Sequence, residues 1–397
     1  MNTTAAPIDR KLLEGSLADF RHSYTLPGEA YTSPELFAWE MRNFFETTWV
    51  CLGRSEGLMR PGSRRALRVG AESILLTRDD AGTLRGFFNI CRHRGHELLP
   101  VGASAEGPHI QCPYHGWTYK QDGSLKSAPL LGLRPGFEVA EHRLTPVRVD
   151  EWEGWVFVNV SSDAPPLKQH LGNLAEDMAP WAPRDMVEVG RMDYLVKANW
   201  KLIHENYQEC YHCSEIHPEL CRVSPPKSGL NLAATGMWIG GWMDLEEGAE
   251  TMSLTGKGGA PKLPGLSTEL QHRVYYYALF PNLLVSPHPD FVLSHRVEPI
   301  SPSETLVECR TLFPRAVAER EGFDGAYAGD FWDVTNRQDW AACESIQRSA
   351  ASRGFKPGPI SEMEESVYQF FNMVAEGYVD GHISPPKNPV VLAKPQR

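Results

Sequence analysis

The pattern that most limits the fold is a pair of mixed dipods, Cys91-x-His93 and Cys112-x-x-His115, separated by the eighteen residues 94–111. Carried on two β loops, such dipods can hold a [2Fe-2S] cluster with two thiolates on one iron and two neutral imidazoles on the other. Imidazole brings no charge where thiolate brings one, so the cluster is less negative and its potential rises into the range of roughly −150 to +300 mV. It can then take an electron from a ferredoxin-like donor and pass it to an oxygen-activating metal. The rival is a Cys2His2 zinc site, but zinc spacing pairs Cys with Cys and His with His, whereas each dipod here mixes the two. Pro113, Gly95 and Gly116 beside the ligands favour tight turns that can present backbone N–H groups to sulfide. His96 and His109 lie outside this skeleton and read as surface or satisfied loop histidines.

A second constellation, residues 199–218, reads NWKLIHENYQECYHCSEIHP. Oxygen activation at non-heme Fe(II) uses two His and one carboxylate, which leaves three coordination positions open. His212 and His217 are the candidate imidazoles. On a straight helix their five-residue step would set them about 140° apart, too far for one metal. The helix expected over about 199–214 must therefore end or deform between them, and Pro218 supplies a cause by pushing His217 out of the α region. Glu205, Glu209 and His212 fall at i, i+4 and i+7, one helical face, so Glu209 stands beside His212 without being an obvious ligand. Cys210 and Cys213 form a C-x-x-C in mid-helix and read as packed thiols rather than a redox pair. HENYQ lacks the second His that a zincin requires.

At 397 residues the chain should hold two domains or a little more. Residues 1–45 read as a lead-in that packs on the catalytic domain and ends in a helix, with Ser33 as N-cap and Pro34 at N1. Residues 46–160 are short β runs broken by turns, and SSDAPP at 161–166 marks a boundary. Residues 161–397 form a larger α+β region, with strands near 273–280, 290–298 and 304–313 and long helices near 328–352 and 361–377. The last helix opens on a capping box, Ser361 with Glu364. Strands followed by helices suggest an antiparallel sheet with helices on one side. The segment 253–266 reads as a long loop and 384–397 as an extended arm. A composition of 42% hydrophobic and 22% charged residues is that of a soluble globular protein. The net charge of −11 argues against nucleic acid and anionic membrane surfaces, and suits a soluble partner or a cationic substrate. No signal-peptide core and no membrane-length apolar run is present, so a cytoplasmic location is expected. In that compartment eight spaced cysteines are more often ligands or buried thiols than disulfides.

By its two metal motifs the sequence resembles the Rieske non-heme iron oxygenases. The resemblance implies a small β Rieske domain followed by a helix-grip catalytic domain with an antiparallel sheet and flanking helices. It implies one [2Fe-2S] cluster on Cys91, His93, Cys112 and His115 and one mononuclear Fe(II) per subunit. In this family the acidic residue three before the first iron-binding His bridges the cluster of a neighbouring subunit to the iron, which would be Glu209 here. Most members have Asp at that place. Glu within ENYxECYHC looks like the quaternary-ammonium branch, whose members oxidise choline, glycine betaine, carnitine and stachydrine. The family takes its carboxylate ligand from a helix in the last quarter, and alignment with FWDVTNRQDWAACESIQRS selects Asp339 over Asp333, Asp330 or Glu344. It also implies a homotrimer and a separate NAD(P)H-dependent flavin/[2Fe-2S] reductase; no Rossmann fingerprint appears in this chain.

Three functions compete. The first is a monooxygenase that uses O2 to hydroxylate an N-methyl or adjacent C–H group of a quaternary ammonium compound, leading to N-demethylation. The second is an aromatic ring-hydroxylating dioxygenase or O-demethylase. The third, an electron-transfer protein, is disfavoured because a carrier needs no second iron motif. A quaternary ammonium offers no N–H, so its recognition falls to aromatic faces. Tyr207, Trp238, Trp242, Tyr276 and Phe291 are the candidate pocket rings, with Tyr275 and Tyr277 facing opposite to Tyr276 by strand alternation.

Overall fold

The computed structural model describes residues 5–131 and 134–389. It divides into two compact units, residues 40–167 and residues 1–39 together with 168–397. The end of the expected C-terminal arm, from 390 onward, lies outside the described residues.

In the unit 40–167 a seven-stranded antiparallel sheet runs in the order Val50–Arg54, Trp155–Asn159, Pro146–Trp152, Leu84–Phe88, Glu72–Arg78, Arg64–Val69, Ser104–Ala105. A smaller sheet joins Ile110–Gln111, Thr118–Tyr119 and Leu125–Ser127. The run WVFVN at 155–159 does not alternate because all five of its residues are buried. One core cluster packs Leu75, Phe87, Ile110, Trp117, Tyr119 and Leu125 around the two motif cysteines, Cys91 and Cys112. The thiols are thus rooted in the apolar interior, and the loops that carry them cannot drift.

The other unit is built on a second seven-stranded antiparallel sheet, ordered Met186–Val196, Glu304–Pro314, Val292–Ser301, Leu283–Pro287, Arg273–Leu279, Trp238–Asp244, Leu230–Asn231. The helices Trp200–Tyr207, Ala326–Ala350 and Glu365–Asp380 pack against it. Thirteen of the sixteen residues of Glu365–Asp380 are buried, so this helix is enclosed rather than carrying a single apolar stripe. It follows the capping box at Ser361 and Glu364, which closes the short turn Glu362–Glu364. In the lead-in, Ser33 Oγ accepts from Leu36 N at 3.2 Å at the start of Pro34–Glu40, as an N-cap should. Tyr31 ties this lead-in to the catalytic helices: its hydroxyl donates to Glu205 Oε1 (3.1 Å) and its carbonyl accepts from Gln347 Nε2 (3.0 Å). No described helix is long and apolar enough to cross a membrane.

The expected helix over 199–214 is shorter. Asn199 caps it through its side chain, which accepts from Lys201 N at 3.1 Å, and it stops at Tyr207. The strands Met186–Val196, Trp238–Asp244 and Leu283–Pro287 were not expected.

Candidate functional site

The two dipods sit on loops of one design. Cys91 N donates to His96 O (2.9 Å) and Gly95 N to Cys91 O (3.0 Å); Cys112 N donates to Trp117 O (2.8 Å) and Gly116 N to Cys112 O (3.1 Å). Gly95 and Gly116 both have φ of +71°, a left-handed conformation that strains any residue with a Cβ. Both thiols are buried, and the rings of His93 and His115 stand 4.7 Å apart. His93 stacks flat on Trp117 at 5.0 Å, and its Nδ1 is buried with no hydrogen-bond partner among the described residues. Tyr119 OH accepts from Arg92 N at 3.0 Å and lies 3.3 Å from Cys91 Sγ, to which its proton can be donated. Two thiols, two facing imidazoles and an orphaned ring nitrogen fit a [2Fe-2S] cluster with mixed ligation. His96 Nδ1 turns to the Glu97 carbonyl, as expected of a loop histidine, whereas His109 meets Lys126 Nζ through Nε2 while its Nδ1 is buried without a partner among the described residues.

Replacing His93 or His115 by Cys is expected to keep part of the cluster and to lower its midpoint potential, because thiolate adds negative charge at the outer iron. An unchanged midpoint in a redox titration would contradict these ligands.

At the second centre the chain leaves the helix at Tyr207 and turns through Gln208. The Glu209 carboxylate accepts from Tyr211 N and His212 N, the latter at 3.1 Å, and also meets His212 Nδ1. One helical turn, Cys213–Ile216, follows; His217 then leaves helical geometry at φ −120°, ψ 65°, and Pro218 opens the next turn. The expected break before Pro218 is present, but a second break precedes His212. Glu209 and His212 therefore do not share a helical face with Glu205. They are neighbours because a side chain that satisfies its own loop's N–H groups folds back over that loop.

Three donor atoms converge. His217 Nε2 is 2.8 Å from Asp339 Oδ1 and 3.1 Å from His212 Nε2, and His212 Nε2 is 3.4 Å from Asp339 Oδ1. Both Nδ1 atoms are engaged, His212 by Glu209 and His217 by Gln338 Oε1 at 2.7 Å, so the Nε2 lone pairs face Asp339. Burial pulls the His212 pKa down, yet the Asp339 and Glu209 carboxylates push it up to about 10. Burial likewise works to raise Asp339, but His212 and His217 hold it below its ordinary value. The pocket thus favours positive charge where the three atoms meet, and two imidazoles with one carboxylate suit Fe(II). The rival carboxylates are elsewhere: Asp333 bonds Tyr194 OH (2.7 Å) and Arg337 Nε (2.8 Å), Glu344 accepts from Lys197 N (3.1 Å), and Asp330 is exposed. Cys210 and Cys213 are joined in a disulfide, which corrects their reading as packed thiols. Their Cα atoms stand 4.9 Å apart, within bridging range, and Cys213 opens the turn Cys213–Ile216 instead of lying in mid-helix as expected.

Of the candidate rings, two reach this centre. Tyr207 lies 6.0 Å from Tyr276 and 6.2 Å from His295 between ring centroids, and its hydroxyl meets Ser286 Oγ at 2.8 Å. Asp339 is among the charges that raise the Tyr276 pKa after burial itself. Trp238 and Trp242 pair across the sheet with Leu279 and Tyr275, so they stand on the face opposite to Tyr276. Trp238 packs on Tyr277 at 5.4 Å, and Trp242 is covered by the Arg273 guanidinium at 3.5 Å. Phe291 stacks on His288 (4.0 Å) and Phe313 (5.5 Å) in an aromatic core. Trp238 and Trp242 are thereby corrected as pocket rings. Residues the motifs did not suggest are His295, Asn336 and Gln338. His295 is fully enclosed, and burial drives its pKa down to about 4; its Nε2 meets Asn336 Oδ1 at 3.2 Å. Tyr276 OH and His295 Nδ1 are both buried without a partner among the described residues.

Residues 48–138 match the family described as Rieske [2Fe-2S] domain, and residues 183–379 the family described as ring hydroxylating alpha subunit (catalytic domain). The glycine betaine monooxygenase oxygenase subunit of Pseudomonas aeruginosa is 29% identical over 398 residues, 92% of each chain. The carnitine monooxygenase oxygenase subunit of Acinetobacter baumannii is 36% identical over 210 residues, 52% of this chain and 56% of that one. Among solved structures, the quaternary ammonium Rieske monooxygenase CntA in complex with its substrate L-carnitine superposes with a TM-score of 0.76 at 25% identity, over 94% of this chain and 99% of that one.

Proposed function

The chain belongs to the Rieske non-heme iron oxygenases as an alpha subunit, and on that premise we propose that it hydroxylates an N-methyl group of a quaternary ammonium compound and so demethylates it. The observation that carries this reading is the wall beside the triad. The strand residues that share the Tyr276 face, among them Met243, Ala278, Ser286, Leu293, His295 and Cys309, include no Lys or Arg on the paired strands from Trp238–Asp244 to Glu304–Pro314. With His295 neutral, an uncharged wall carrying Tyr207 and Tyr276 suits a cation recognised by ring faces.

When bound, the cluster on Cys91, His93, Cys112 and His115 supplies single electrons, and iron on His212, His217 and Asp339 supplies oxygen activation. The residues do the rest. Tyr207 and Tyr276 turn ring faces to the ammonium, and burial keeps bulk water from the reacting methyl. Glu209 holds His212 and, on the family resemblance, would relay an electron from a neighbouring subunit's cluster. The same resemblance implies a homotrimer; the structure of a quaternary ammonium Rieske monooxygenase has given insights into inter-subunit electron transfer. The hydroxymethyl product releases its hydroxyl proton, forms the C=O bond of formaldehyde and returns the C–N electron pair to nitrogen. Electrons would come from a separate flavin/[2Fe-2S] reductase that oxidises NAD(P)H, with both proteins in the cytoplasm.

The test is reductase-linked turnover with formaldehyde release over betaines, choline, carnitine and aromatic methyl ethers. N-methylated ammonium compounds are expected to react; turnover confined to aromatic substrates would establish the ring-hydroxylase or O-demethylase alternative. Tyr207→Leu or Tyr276→Leu is expected to weaken binding of the cation by about 2- to 30-fold more than that of its neutral carbon isostere. Equal losses for both ligands would reduce these rings to packing.

A further inference from the structure

The two iron-binding imidazoles are held from behind by different chemistry, and the hold on His217 comes from residues with no assigned part. Gln338 and Asp339 are consecutive on the helix Ala326–Ala350, about 100° apart around its axis. They reach opposite nitrogens of one ring: Gln338 Oε1 is 2.7 Å from His217 Nδ1, and Asp339 Oδ1 is 2.8 Å from His217 Nε2. An amide oxygen can only accept, so it requires the proton on Nδ1 and leaves the Nε2 lone pair for a metal. A glutamine alone does not guarantee this. Turned end for end, its NH2 would face Nδ1 and favour the tautomer with its proton on Nε2, aimed at the cation. Glu219 removes the ambiguity. Its Oε2 lies 3.2 Å from Gln338 Nε2, and a carboxylate accepts there, which fixes the NH2 outward and the oxygen toward His217. Glu219 stands in place because Pro218 opens the turn Pro218–Cys221 immediately after His217.

We propose that Gln338, oriented by Glu219, is a positioning residue that sets the tautomer and direction of His217 for the mononuclear iron. The segments His217-Pro218-Glu219 and Gln338-Asp339 then act as interlocking halves of one device. His212, in contrast, is backed by the Glu209 carboxylate, so one imidazole has an anionic partner and the other a neutral one.

The experiment is Co(II) and Fe(II) affinity of the full-length protein by competition with a chromophoric chelator. Rieske absorbance serves as the folding control and the Co(II) ligand-field spectrum as the geometric one. Gln338→Leu is expected to lose about 10- to 100-fold in affinity with an altered spectrum, as outer partners of metal-bound histidines do. Gln338→Glu combined with Glu219→Gln keeps an acceptor at Nδ1 and a donor facing it, and the double variant is expected to stay within about threefold. Glu219→Gln frees the amide to turn and is expected to fall between them. Wild-type affinity and spectrum in Gln338→Leu would overturn the proposal; should that variant fail to fold, wild-type metal binding in Glu219→Gln would do so. Metal binding is read without substrate, so failure of the N-demethylation reading leaves this test intact.

Discussion

Asp339→Ala is expected to lose the mononuclear iron and bring turnover to background, while the visible absorption of the Rieske cluster stays at its wild-type level. The loss should exceed the roughly 100-fold that changes to outer partners of a metal site cost, because Asp339 Oδ1 is the only anionic donor of the three converging atoms. Two rival carboxylates of this helix are engaged elsewhere. Asp333 is tied to Tyr194 and Arg337, and Glu344 to Lys197 N. The cluster should persist because its ligands are rooted in the separate unit 40–167. His212→Ala and His217→Ala should behave alike. Iron and sulfide analysis reads the result as a fall from about three irons to about two, with two labile sulfides unchanged. Full iron and activity in Asp339→Ala would make another carboxylate the ligand.

The second large effect belongs to Glu209. Glu209→Gln is expected to keep both metal centres yet slow oxidation of the reduced cluster at least about 100-fold in a single turnover, whereas Glu209→Asp retains part of the rate. Glutamine is the cleaner substitution, because the carboxylate also accepts from His212 N and backs His212 Nδ1. Glu209→Ala removes those contacts too and should weaken iron binding by about 10- to 100-fold, so its electron transfer has to be read at saturating iron. Rapid cluster oxidation in iron-loaded Glu209→Gln would refute the bridge.

How much of this could be read in advance depended on how local each signal was. The cluster dipods are local: spacing and two glycines mark both loops, and the loops share the same pair of backbone hydrogen bonds. The meeting of His212 and His217 was equally open to reading, since Pro218 marks the departure from helix that leaves their Nε2 atoms 3.1 Å apart. Asp339 came from resemblance, since nothing in the residues 326–350 distinguishes it from its acidic neighbours until the helix is docked. The helix end at Tyr207 was hidden because ENYQE is compatible with helix; what ends it is the Glu209 side chain bonding its own loop. The same assumption concealed the Cys210–Cys213 disulfide.

The pocket rings failed for another reason. Alternation fixes which residues of one strand share a face, and it separated Tyr276 from Tyr275 and Tyr277 correctly. Which face Trp238 and Trp242 join depends on register with the neighbouring strand, where Trp242 meets Tyr275, and no local pattern contains that. The long strand Met186–Val196 escaped notice because its pairing shifts between Glu188 and Gly190, which breaks its alternation.

Oxidation of an N-methyl cation at the triad can be followed in a single turnover without any reductase. Protein with its cluster reduced chemically and its iron ferrous is mixed with a quaternary ammonium substrate, then with oxygen, and formaldehyde is measured. Formaldehyde is expected in proportion to occupied triads, with cluster oxidation that requires the substrate, and none from Asp339→Ala. Full cluster oxidation without formaldehyde across the panel of N-methyl cations would contradict it.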